Sequence, residues 1–121
     1  MSGLARDLRE SGTLVTGAEV GDTVHRHFEL RLPTVQDNID AVDEVGSTNG
    51  VALSAAILAR QLTQLGTLKP EEITLDLIAA LHPSDFNLME VASATLEKKR
   101  LAAPLVAPTG AGSDLPSSAP A

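Results

Sequence analysis

Apolar and polar positions alternate with a period of two over residues 23–32 (TVHRHFELRL). Val24, Phe28, Leu30 and Leu32 fall on one face, interrupted by Arg26, and His25, His27, Glu29 and Arg31 fall on the other. That pattern predicts a strand with one buried face. Pro33 ends it, because proline has no N–H to contribute to a ladder. Residues 13–16 (TLVT) predict a short partner strand, with turn chemistry at Gly17 and at Gly21-Asp22.

From Thr34 the period lengthens to that of a helix. Thr34 is a good N-cap, and Asp37 three residues on completes a capping-box-like signal. Val35, Ile39 and Val42 share one face, with Asp37, Asp40, Asp43 and Glu44 opposite, which predicts an amphipathic helix with an acidic outer side. A Gly/Ser/Asn loop follows. A second helix is expected over residues 51–65, stopped by Gly66. Val51, Ala55, Leu58, Leu62 and Leu65 form its main stripe, and Leu53 and Ile57 lie on the other side. Two apolar stripes on one helix predict either a central position or a face covered by a partner. Residues 69–72 (KPEE) form a connector, Thr74 caps a short helix carrying Leu75, Ile78 and Leu81, and Pro83 opens the last helix. That helix is expected to reach Leu101, burying Phe86, Met89, Ala92 and Leu96, with Asp85 at its positive end. The expected fold is therefore α+β: an N-terminal β-hairpin followed by a small bundle of about four α-helices.

Composition sharpens this. The 121 residues suit one domain, read as a flexible arm over 1–12, a folded unit over 13–101 and a disordered Pro/Ala/Gly/Ser tail over 102–121. Sixteen acids against nine bases give a net charge of −7, and the only aromatics are Phe28 and Phe86. Nucleic acid is thereby disfavoured as a partner, since phosphate binding needs positive charge and base stacking needs rings. No cysteine is present. No signal peptide or membrane span is evident, so a soluble, cytoplasmic protein is expected.

Candidate chemistry is sparse. His25, His27 and Glu29 share a predicted strand face and could hold a metal, which would make a small metal-dependent enzyme. Solvated residues on an open sheet face are the preferred reading, because no further ligand cluster follows. Glu71, Glu72 and Asp76 read as an exposed acidic turn, for want of burial to separate their pKa values. Charge distribution says more. Residues 33–96 carry nine acids against two bases, Arg60 and Lys69. An acidic rim around an apolar stripe is how grooves that bind helices are built.

Three runs together resemble the tail assembly proteins of Mu-like phages. They are FELRLPTVQDNIDA with its Arg31-Leu32-Pro33-Thr34 step, ALSAAILARQLTQLGTL, and ITLDLIAALHPSDFNLMEVASATLEKKRL with Leu81-His82-Pro83-Ser84-Asp85-Phe86 introducing the last helix. The resemblance covers about three fifths of the chain. It implies a non-enzymatic tail assembly chaperone without cofactors, which keeps the helical tape measure protein soluble and helps bring tail tube protein to it. The family often adds a longer, frameshifted form, which a slippery stretch at Lys98-Lys99 would serve. Several copies on one client are expected, since weak contacts add through multivalency and like charges keep the coated client dispersed. The expected contact residues are Leu53 and Ile57, rimmed by Asp40, Asp43 and Glu44. A structural tail component, such as a connector or completion protein, is the alternative.

Overall fold

The computed structural model describes residues 7–102. The long strand β1 (Arg9–Val20) turns at Gly21-Asp22 into β2 (Thr23–Arg31). Helices α1 (Val35–Val45) and α2 (Gly50–Gln61) follow, then a third strand, β3 (Leu62–Leu65). A 3-10 turn (Pro70–Glu72), the short helix α3 (Leu75–Ala79) and the long helix α4 (Pro83–Ala102) complete the described residues. The fold is α+β, with the hairpin and β3 forming an antiparallel sheet in the order β1-β2-β3. No helix among the described residues is long and apolar enough to cross a membrane.

The core lies between the sheet and the helices. Leu14, Phe28, Leu30 and Leu65 from the sheet meet Leu58 of α2, Ile78 of α3, and Met89 and Leu96 of α4. The last helix packs chiefly on β1, and α1 packs on α2. Local capping follows the expected chemistry. Thr34 and Asp37 make a full capping box at α1, and the Thr74 side chain accepts from Leu77 N–H at α3. Met89, Ala92 and Leu96 are buried on α4, and Phe86 is half-buried.

Two bulges account for most departures from the expected strands. Thr13 pairs with His27 and Ala18 with His25, so β1 advances five residues while β2 advances two. The extra residues belt out from the ladder, and the inward sense changes. His25 is consequently buried beside Ala18, whereas His27 and Thr13 are exposed and Val24, expected inside, is largely exposed. A second bulge sets Leu30 opposite Leu62 and Glu29 opposite Gln64, leaving Thr63 as the extra residue on β3. In a regular strand Leu62 and Leu65 would face opposite ways; with the bulge both reach the core.

These leucines correct the expected second helix. Helix α2 stops at Gln61, and residues 62–65 pair with the outer edge of β2 instead of adding another helical turn. That pairing satisfies backbone groups which a longer helix would leave open on the sheet. Val51, first in the expected stripe, is exposed, while Ala55, Leu58, Leu62 and Leu65 are buried. Gly66 has a positive φ of 59° as expected of a stop residue, but it closes a strand. A Cβ there would run into the imidazole ring of His25, so only glycine fits. Strand β1 also begins at Arg9, within the stretch read as an arm. Residues 1–6, and from residue 103 the expected tail, lie outside the described residues.

Candidate protein-binding surface

Helix α1 is held by a polar anchor built from the Arg31-Leu32-Pro33-Thr34 step. Arg31 forks onto Asp37, Nη1 to Oδ2 at 2.7 Å and Nη2 to Oδ1 at 3.0 Å. The same guanidinium donates to the carbonyls of Leu32 and Arg60, each at 2.8 Å. Asp37 also accepts from Thr34 N–H at 2.8 Å. In return, the buried Gln61 amide donates to Arg31 O at 2.9 Å and to Ser93 Oγ at 3.2 Å, which ties the anchor to α4. The Arg31 fork holds the Asp37 carboxyl below its usual range; burial opposes this, and the Thr34 N–H adds to it. Asp37 in turn raises the Arg31 guanidinium.

This anchor sets the rotation of α1. At 3.6 residues per turn, the stripe of Val35, Ile39 and Val42 lies about 140–160° around the helix from Asp37. With Asp37 turned inward beside Arg31, the stripe must face out. Asp37 and Ala41 are the buried residues of α1, whereas Val35, Ile39 and Val42 are 74%, 49% and 39% exposed. The helix therefore shows water the face expected to be its buried one. Ala41 on α1 and Ala56 on α2 are both fully covered, and such small residues let the two helices approach closely.

The expected contact residues are partly brought together. Leu53 and Ile57 are half-buried on α2, and Ile57 lines a groove with Ser54, Gln61, Glu90 and Ser93 between α2 and α4. Asp40 is half-buried, and Asp43 and Glu44 are exposed. Arg60 reaches from α2 to Glu44 at 2.9 Å, while Gln36 donates to Asp40 at 2.9 Å. Near the start of α2, Val51, Ala52, Leu75 and Phe86 line a mostly apolar cleft of about 420 Å³. Further apolar surface lies on α4 at Leu88 and Val91.

Compared with protein-family models, curated proteins and solved structures, the chain matches none.

The candidate metal ligands do not converge. The buried His25 accepts from Thr67 N–H through Nδ1 at 3.2 Å, His27 is exposed, and Glu29 accepts from Thr63 Oγ1 at 2.7 Å. Among the described residues no three His, Asp or Glu side chains group as a metal site. His82 accepts from Ser84 N–H at 3.1 Å, the geometry of a helix cap.

One residue has a larger part than its sequence position suggested. Asp85, in the first turn of α4, is 0% exposed. Its carboxylate accepts from Val15 N–H at 2.8 Å, Thr16 N–H at 3.0 Å and Gly17 N–H at 2.9 Å. These donors are orphans of the β1 bulge, which bends them away from the ladder. Burial pushes the Asp85 carboxyl up, but the N–H groups of Gly17, Val15 and Thr16, aided by nearby His82, outweigh it and hold it below the usual range. Asp85 thus joins the long helix to the sheet. The Asp-Phe pair at a helix start was visible in the sequence, but its acceptors' partners are about 70 residues away.

Proposed function

We propose that this chain is a tail assembly chaperone of the Mu-like phage kind, working in the cytoplasm of the bacterial host. It binds the tape measure protein without chemistry of its own and keeps that long helical client soluble until tail tube protein joins it. The observation that supports this reading is the apolar surface of α1, where Val35, Ile39 and Val42 stand open at helical spacing outside the core cluster. A run of exposed valine and isoleucine at helical spacing is costly to leave in water and marks a protein-binding face. The net charge of −7 keeps copies apart on a shared client.

The test is co-expression with the tape measure protein of the same gene cluster. The soluble fraction of the client should rise with the parent chain and fall with Leu53→Asp combined with Ile57→Asp. Unfolding of that double variant would show that the pair is core and not contact surface. Finding the chain in purified mature particles would support a structural tail component in place of a chaperone.

A further inference from the structure

We infer that the client-docking surface extends beyond Leu53 and Ile57 to the outer face of α1, and that the occupant there is a basic amphipathic helix laid along Val35, Ile39 and Val42. The inference rests on the chaperone reading for the identity of its client, and on the following geometry for the surface. The three side chains are spaced by four and then three residues, the seam by which one helix packs along another. All three are exposed, and none belongs to the core cluster. The Arg31–Asp37 fork holds this rotation in the free protein, so the seam is formed before any partner arrives.

Charge selects the partner. Residues 33–50 contain four acids and no base. Asp37 and Glu44 are matched by Arg31 and Arg60. Asp43 has no ion pair among the described residues and is exposed, so it is the charge a partner meets; Asp40 is half-buried, bonded to Gln36 and at least about 100° around the helix from the seam. Asp43 adjoins Val42 and lies one turn beyond Ile39, at the border of the seam. A second copy of this chain would bring the same acids and a further net charge of −7 towards that border. A helix with leucines on one side and lysines or arginines beside them meets both the apolar seam and the acids.

The probe is a 21-residue synthetic peptide of leucine–lysine heptads with one tryptophan; its counterpart carries glutamate for every lysine. The chain has no Trp and no Tyr, so the peptide's fluorescence reports binding to the full chain without background. The lysine peptide should bind and weaken with salt, and the glutamate peptide should not bind. Ile39→Ser with Val42→Ser should lower affinity at least tenfold while the thermal melt is kept. If that pair does not fold, Val35→Ser, at the most exposed position of the seam, replaces it with the same expected direction. Asp43→Asn should lower affinity about two- to threefold and flatten the salt dependence, and Asp40→Asn should change neither.

Equal binding by the seam variants and the parent would overturn the inference, as would equal binding of the two peptides. So would sedimentation showing a parent dimer that the seam variants make monomeric. The chaperone reading is judged apart from this. If seam variants lose the peptide yet the parent chain never solubilises its client, the surface stands and the chaperone reading falls. If the parent solubilises its client and seam variants do so equally well, the reverse holds.

Discussion

Replacing Asp85 with alanine removes the acceptor of three backbone N–H groups in one step. The Gly17 N–H is buried, and water cannot easily replace the lost bond; orphaning such a donor costs about 1–3 kcal/mol. The Val15 and Thr16 bonds are part-buried, so rehydration recovers some of their worth and leaves about 1 kcal/mol each. Loss of a carboxylate from the first turn of α4 adds roughly 0.5 kcal/mol. The removed burial cost of the charge offsets part of this sum, leaving a net loss of about 2–4 kcal/mol. For a domain of this size each kcal/mol lowers Tm by about 4–8 °C, so a fall of roughly 10 °C or more is expected. Asp85→Asn is the sharper variant, because it keeps shape and one acceptor oxygen. With that oxygen on the Thr16 and Gly17 N–H groups, its amide NH2 would face the Val15 N–H, donor against donor. The assay is urea unfolding followed by far-ultraviolet circular dichroism, since no Trp or Tyr is present to follow by fluorescence. Hydrogen exchange at Val15, Thr16 and Gly17 gives a local readout and should quicken in both variants. An Asp85→Asn protein within 0.5 kcal/mol of the parent, with those amides still protected, would refute the reasoning.

Acid should act through the same groups. Asp85 and Asp37 both have folded-state pKa values below the ordinary carboxylate range. The unfolded chain therefore binds more protons as the pH falls, and their stabilisation, complete above about pH 5, is lost on acidification through pH 4 and below. A urea series from pH 7 to pH 2.5 should show that decline, and Asp85→Asn should flatten it. Gly66→Ala forces a side chain into positive φ and into the His25 ring, and should cost more than about 2 kcal/mol in the same assay. Adding His25→Ala should relieve the clash but not the backbone strain. Arg31→Lys keeps the charge but loses the fork and the bond to Arg60 O. A loss of about 1–2 kcal/mol and faster hydrogen exchange along α1 are expected; unchanged exchange would mean that the fork does not hold the helix.

What was legible in the chain is whatever depends on a few neighbouring residues. Thr34 with Asp37 and Thr74 with Leu77 close caps within three residues, so their chemistry is complete before any tertiary contact forms. The stripe of Met89, Ala92 and Leu96 is likewise a property of one helix. The identity of residues 62–65 was not of this kind. Leucines three apart fit a helix and a bulged strand equally, and the choice was made by the open edge of β2.

The candidate surface divides along the same line. Val35, Ile39 and Val42 were readable as one stripe, but periodicity does not say which way a stripe faces. A bidentate ion pair to Arg31 and close packing on α2 turned Asp37 and Ala41 inward, and the apolar stripe went outward with that rotation. Asp85 was readable as a helix-start acid, yet its burial needed a bulge some 70 residues earlier to supply three free donors. Sequence alone determined the caps, the periods and the acidic charge, because these are local or additive. The direction of α1, the third strand and the helix-to-sheet bond were decided only in the folded molecule, because each depends on groups that distant parts of the chain bring together.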